Sequence, residues 1–320
     1  MIIPVRTRQE TASKRAMRFI ACALAGLFAC MMLAGCSGEN DAASEQQSAA
    51  TETTQQQKTV VSVLCSDQLA GPLSELERLY ASEHEDVQFE QDSAGSGKAM
   101  AKNLTANEKA ETASASSGED SAGSPDDAPY SLVIGLPDEA SESAQKAQQI
   151  NRDTVSDLVA DTLVIAAGAN GKVRSVTVND LLAGEYPLVM APSSTVLGDL
   201  QQEALRRVGG ASANGVLLGA LSKKGKTRTA KSASGVFAKL SEGKNKAVAI
   251  VRSSDVYRYG GVRIVGEIPA SAYTAPLYAS ALTTYAGKAE LDAAKSFLEW
   301  CTTDADAQRI WSKWGFKLAA

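Results

Sequence analysis

Four clusters of small polar residues recur along the chain: Cys65-Ser66-Asp67-Gln68, Ser93-Ala94-Gly95-Ser96-Gly97, Pro192-Ser193-Ser194-Thr195 and Ser232-Ala233-Ser234-Gly235. Each follows a run with strand character and precedes residues at helical spacing. The first N–H groups of a helix lack intrahelical partners and carry partial positive charge. Serine adds a hydroxyl donor, and glycine lets a ligand approach the backbone closely. Several such ends, if they converge, would cradle an oxyanion without any formal positive charge. Charge-assisted hydrogen bonds contribute ~1.5–3 kcal/mol each. About six of them reach the roughly 8–12 kcal/mol of micromolar to nanomolar binding. Any single cluster among them is better explained as helix capping. The recurrence of the cluster in one chain is what points to a site.

Other chemistry is sparse. His84 is the only histidine and sits between Glu83 and Glu85, where a helix gives way to a strand. One histidine and scattered thiols make no zinc cluster, and a serine triad would have to be built on a peripheral turn. No GxSxG, Walker loop or paired catalytic carboxylates stand out. The residues argue for binding rather than turnover, with no cofactor.

The elements that must position these clusters alternate in type. Val60 to Ser66, Val87 to Ser93 and Ser131 to Leu136 read as strands. Helices are expected after each, from Gly71 to His84, from Ser96 to Leu104 and on to Ala147. The alternation resumes at Thr162 to Gly168, and the chain closes with Pro276 to Leu282 and two helices, Lys288 to Cys301 and Asp304 to Trp314. Strands alternating with amphipathic helices predict an α/β fold with parallel sheets covered on both faces.

The 320 residues suffice for two lobes, and hydrophobic residues at 44% exclude wholesale disorder. The net charge is −5; the first thirty-five residues contribute +4, so the remainder carries −9. That remainder lacks the basic footprint of a nucleic-acid binder. The acidity is concentrated in two low-complexity stretches, the tether at 36–58 and an insertion at 107–127, both expected to be disordered. The rest is near neutral and does not repel an anionic ligand.

Five basic residues precede an apolar run from Phe19 to Leu33, which is short for a membrane span. The run ends in Leu33-Ala34-Gly35-Cys36 and resembles a bacterial lipoprotein signal with its lipobox. The resemblance implies a signal peptide at 1–35, cleavage before Cys36 and lipidation of that cysteine. The alternatives are a plain secretory peptide or a retained span. Lipid and tether together place the folded body at the cell membrane, facing the extracytoplasmic side. Cys65 and Cys301 remain, as a disulfide or as two buried thiols.

From Thr59 to Phe316 the chain resembles the type 2 periplasmic-binding-protein family, in particular its molybdate/tungstate-binding group of ABC importers. The stretches that carry the resemblance include VSVLCSDQLAGPLSEL, SAGSGKAMAKNL, YPLVMAPSSTVLGDLQQEALRRVG, AVAIVRSSDV and the ending with Ala307-Gln308 and Gly315-Phe316. The resemblance implies two lobes, 59–162 plus 276–320 and 163–275, each a mainly parallel sheet flanked by helices. Two hinge strands, near Leu163 and Ala275, would join them. It implies an oxyanion held by Ser66, with Gln68 as the alternative, and by Ser96 with Gly97. Backbone near Leu197 beside Thr195, and near Ala233 and Ser234, would supply the second lobe's donors. The family's tyrosine ligand corresponds here to Arg252, ahead of Ser253-Ser254-Asp255. That arginine either faces the ligand or pairs with an acid such as Asp255 or Asp67. The family's small-residue motif before the third helix is altered to Gly135-Leu136-Pro137-Asp138.

The expectation is a monomeric, lipid-anchored substrate-binding protein that captures molybdate or tungstate and hands it to a membrane ABC permease. The rivals are the same fold binding sulfate, phosphate or a carboxylate, and a sensory or adhesive lipoprotein with a degenerate pocket.

Overall fold

The computed structural model describes residues 58–117, 129–136, 138–209, 227–242 and 246–319. The signal peptide, Cys36 and nearly all of the tether expected from the sequence lie outside the described residues, as does the second half of the expected insertion.

The first lobe is built on β1 (Thr59–Ser66), β2 (Val87–Ala94) and β3 (Leu132–Leu136). Strand β1 pairs in parallel with both neighbours, with Ser66 beside Ala94 and Cys65 beside Ile134. Each strand is followed by a helix: α1 (Ala70–Glu83), α2 (Gly97–Ser117) and α3 (Asp138–Lys146). Successive side chains of a strand point to opposite faces, so β1 divides its residues between two cores. Val61, Val63 and Cys65 pack with Leu73, Leu76, Phe297, Cys301 and Trp311. Leu64 packs on the other face with Met100, Leu104 and Val133.

Three further strands complete that sheet: β4 (Ser156–Asp161), β10 (Leu277–Leu282) and β11 (Phe316–Leu318). The order is β11-β4-β10-β3-β1-β2. The second lobe has β5 (Leu163–Gly168), β6 (Leu188–Met190), β7 (Thr227–Thr229), β8 (Val248–Arg252) and β9 (Val262–Glu267) in the order β7-β6-β8-β5-β9. Its described helices are α4 (Val178–Ala183), α5 (Val196–Gly209), α6 (Ala233–Ser241) and α7 (Ser253–Tyr259). Helices α8 (Lys288–Thr303) and α9 (Ala305–Lys313) return to the first lobe, where Phe297, Cys301 and Trp311 join its core.

The α/β class and the two sheets match the sequence expectation. The strands that feed helices are parallel, as expected: β1 with β2 and β3, and β6 with β7 and β8. The strands that carry the chain between sheets are antiparallel to their neighbours, β10 to β3 and β4, and β5 to β8 and β9. The sheets are therefore mixed. The first crossing is the single residue Thr162, between β4 and β5. The return runs from Ile268 to Pro276, between β9 and β10.

One local expectation is corrected, and one strand lies outside those expected. Helix α2 does not end near Leu104 but continues to Ser117, through the first part of the segment expected to be a disordered insertion. The stretch from Glu108 to Glu111 consists of glutamate, lysine and alanine, which propagate a helix once it is nucleated. Strand β4 has no clear signature in Ser156–Asp161; it forms because β10 and β11 flank it on both sides.

Candidate functional site

Ligands of open α/β sheets lie beyond the carboxyl ends of parallel strands, and those ends carry the polar clusters here. In the first lobe Ser66 closes β1. It is 6% exposed, and its hydroxyl has no hydrogen-bond partner among the described residues. A buried hydroxyl without a partner is costly, and such groups call for an explanation. The space around it is set by Gly135, at φ +83, where a Cβ would lie 2.5 Å from Ser66 Oγ and 3.0 Å from Leu69 Cδ1. Only glycine fits both the backbone conformation and the contact.

The β1–α1 turn continues with Asp67 and half-buried Gln68. The Asp67 N–H donates to the Ala94 carbonyl at 3.1 Å, and the Leu69 N–H to that of Ser66 at 2.9 Å. These bonds pin the turn against the end of β2. There Gly95 packs on the Asp67 carboxylate, with its Cβ position 3.2 Å from Oδ2. The hydroxyl of exposed Ser96 accepts the Ala99 N–H at 3.2 Å, so it caps α2, and Gly97 opens that helix.

In the second lobe Met190 of β6 pairs with Thr229 of β7, and the Ala230 N–H donates to the Met190 carbonyl at 2.8 Å. The clusters at 192–195 and 232–234 thus leave one sheet edge side by side. Thr195 Oγ1 donates to the Pro192 carbonyl at 2.7 Å and accepts the Gly198 N–H at 3.1 Å. Gly198 packs so closely that a Cβ there would collide with the Pro192 carbonyl oxygen. The Leu197 side chain is buried in the core with Val164, Ala166 and Val236, so only its backbone N–H is available at the helix start. Ser234 is exposed and shares a 3.0 Å hydrogen bond with Ser232 Oγ, which caps α6 through the Gly235 N–H at 3.1 Å. Ala233 is the first residue of that helix.

Gln201 escaped the sequence reading. It is fully buried; its Oε1 accepts the Ala191 N–H at 2.7 Å and its Nε2 donates to the Ile250 carbonyl at 2.7 Å. It fastens α5 to β8 and to the turn that carries Thr195. A glutamine among the apolar positions of an otherwise amphipathic helix was the available signal.

Arg252 takes the second of its two readings, the ion pair. Its Nε lies 2.8 Å from Asp255 Oδ2 and its Nη2 3.1 Å from Oδ1, with side-chain exposures of 12% and 1%. Tyr278 OH stands 3.4 Å from Nη1. Beside this pair lies fully buried Asp161, which accepts the Thr162 N–H at 2.9 Å, the Ser254 N–H at 3.2 Å and the Ser254 hydroxyl. Burial pushes the Asp161 carboxyl up to about 6, against the lowering effects of Ser254 and Arg252. Because Leu163 and Arg252 are register partners, the whole cluster sits at the crossing between the sheets. It ties the start of α7 to the end of β4 and leaves the guanidinium fork filled.

Asp67, the other acid considered for Arg252, meets Arg258 instead, with Nη2 3.9 Å from Oδ2. Cys65 and Cys301 are free thiols, both buried in the first-lobe core, and burial pushes the Cys65 thiol up to about 12. His84 closes α1 and stacks on Tyr80 with ring centroids 4.0 Å apart. Among the described residues no group of three or more His, Cys, Asp or Glu could hold a metal, and no helix is long and apolar enough to cross a membrane.

The structure therefore gathers the first-lobe residues Ser66, Gln68, Ser96 and Gly97 at one sheet edge. It gathers Thr195, Leu197 and Ser234 at another, and places Arg252 at the crossing, paired with Asp255.

A family model for bacterial extracellular solute-binding proteins matches residues 61–317. No curated protein sequence matches the chain. Among solved structures, a substrate-binding domain assigned to a molybdenum ABC transporter of Clostridium difficile superposes with a TM-score of 0.63 at 19% identity, covering 82% of this chain and 99% of that one. The periplasmic molybdate-binding protein of Azotobacter vinelandii gives 0.53 at 15% identity, over 81% and 100%. Peb3 of Campylobacter jejuni gives 0.52 at 12% identity, over 80% and 99%. At these identities the likeness is one of fold.

Proposed function

We infer function from one premise: this chain belongs to the bacterial extracellular solute-binding protein family. On that premise the protein captures a small tetrahedral oxyanion, molybdate or tungstate first, and delivers it to a membrane ABC permease. It binds and releases; it does not turn its ligand over.

The observation that carries this reading is the Ser66 hydroxyl, buried without a partner where β1 runs into α1. A donor held in that state is ready for an acceptor that arrives from outside. Around it the N-termini of α1 and α2 offer backbone N–H groups of the kind that bind anions. In the second lobe the α5 start does the same beside Thr195. With Arg252 committed to Asp255, the donors that these turns and helix starts supply are uncharged. Neutral donors that replace a hydration shell discriminate among tetrahedral dianions by cavity size, because sulfate presents similar acceptors on shorter bonds. The folds of the two molybdenum-related neighbours support the same ligand class.

The protein works as a monomer, held at the outer face of the cell membrane by lipid on Cys36. Loss of palmitate labelling in Cys36→Ala tests the anchor; unchanged labelling removes it. Calorimetric titration with molybdate, tungstate, sulfate and phosphate tests the ligand. Heat with molybdate or tungstate is expected. Heat with sulfate or phosphate alone reassigns the ligand within the oxyanions, and no heat with any of the four overturns the reading.

A further inference from the structure

We propose that Arg258, a residue with no part in the binding set derived from the sequence, supplies the cationic contact to the bound anion. Its guanidinium faces Asp67 across 3.9 Å. This assignment rests on the oxyanion reading and deepens it.

Two arginines of the Arg252–Tyr259 segment differ in how their charge is met. Arg252 is forked on Asp255 at 2.8 and 3.1 Å with both groups buried. Arg258 reaches Asp67 only at 3.9 Å, with side-chain exposures of 34% and 37%. That distance lies beyond hydrogen-bonding range, and an ion pair this exposed contributes little by itself. The guanidinium therefore keeps donors for a stronger acceptor, and an oxyanion matches its planar fork.

The place fits the role. Asp67 follows Ser66 directly, its N–H is bonded to Ala94, and its carboxylate lies against Gly95. Arg258 therefore stands over the meeting point of the β1–α1 and β2–α2 turns, where its partner Asp67 is one residue from the unpartnered Ser66 hydroxyl. The residue also comes from the other lobe. Helix α7 is tied at its start by Ser254 to Asp161 and by Arg252 to Asp255. At its end, Tyr259 stacks on Phe237 at 4.6 Å with Arg258 Cζ 5.6 Å from the Tyr259 ring. Arg258 is thus carried on a braced segment of the second lobe to the ligand-facing turn of the first. An arriving dianion takes over the guanidinium and releases Asp67, whose like charge otherwise opposes the ligand.

The test titrates the whole mature protein with molybdate and with sulfate, comparing Arg258→Gln, Arg258→Lys, Asp67→Asn and the double variant Asp67→Asn/Arg258→Gln. Arg258→Gln is expected to lower affinity about tenfold or more, with Arg258→Lys recovering part of the loss. Asp67→Asn is expected to raise affinity several-fold. Opposite signs for two members of one ion pair cannot arise from a strut that merely links the lobes. Equal losses in both single variants, with no further loss in the double, overturn the proposal. Wild-type binding retained in Arg258→Gln overturns this assignment alone, whereas a wild-type protein silent toward every anion overturns the oxyanion reading and this assignment with it.

Discussion

The Arg252 guanidinium is forked on the Asp255 carboxylate, with Nε 2.8 Å from Oδ2 and Nη2 3.1 Å from Oδ1, at the point where the chain crosses between its two sheets. Asp255 is 1% exposed. Removing one partner leaves a buried charge unmet, which costs ~3–5 kcal/mol. Arg252→Ala is therefore expected to lower the denaturation midpoint sharply while leaving anion affinity of the folded fraction unchanged. Denaturant melts and calorimetric titration separate the two. A variant of wild-type stability with much weaker anion binding would make Arg252 a ligand after all.

Ser66 and Thr195 are expected to respond in opposite ways. The Ser66 hydroxyl has no partner among the described residues, so Ser66→Ala leaves stability unchanged or slightly raised. Its loss removes one donor to the anion, and affinity falls about tenfold or more. Thr195 Oγ1 caps α5, so Thr195→Ala costs about 1 kcal/mol of stability. Thermal melts with and without molybdate measure both. A stability loss in Ser66→Ala equal to that in Thr195→Ala would show that both hydroxyls are structural.

Gly135→Ala tests the space above Ser66. A Cβ at φ +83 is strained by about 1–3 kcal/mol, and it would lie 2.5 Å from Ser66 Oγ. The variant is expected to be less stable and to bind anion more weakly than Ser66→Ala, since it displaces the hydroxyl and the neighbouring turn together. Anion affinity equal to wild type would disconnect Gly135 from the site.

Glu77 predicts a pH dependence. It is 6% exposed within α1, its Oε1 has no partner among the described residues, and burial pushes its carboxyl from 4.5 up to about 7. Between those values the folded protein keeps a proton that the unfolded chain has released. Stability therefore falls as pH rises from about 4.5 to 7 and levels off above, by at most about 3 kcal/mol. Asp161, raised from 3.8 to about 6, acts in the same sense over a lower window. Glu77→Gln is expected to abolish the slope between pH 6 and 7 and to stabilise the protein at pH 8. Denaturant melts across that range check it, and an unchanged slope would place the titrating group elsewhere.

Much of the scaffold was legible because its signals are local. Runs such as Val60 to Ser66 and Ser131 to Leu136 announce strands buried on both faces, and the spacing of Leu73, Leu76 and Tyr80 announces the helix that covers one of them. The clusters at strand ends were legible for the same reason, since cap chemistry is written within a few residues. The length of α2 is not legible in the same way, because polar composition argues for disorder while helix propensity, also local, argues the other way. The antiparallel strands were not foreseen, since strand direction depends on where a distant segment lies down.

By itself the sequence determined the class of fold, the order of its elements and the polar residues available at strand ends, because periodicity, capping and turn chemistry act over a handful of neighbours. Only the tertiary structure decided which charge meets which. Arg252 was assigned to Asp255 by the crossing that brings Asp161 and Tyr278 beside it, and Asp67 was left to Arg258. The same holds for Ser66, whose hydroxyl is left unpartnered by burial beneath Gly135, sixty-nine residues on. Coulomb attraction and hydrogen bonding act through space over a few ångströms, and the folded path of the chain sets those separations.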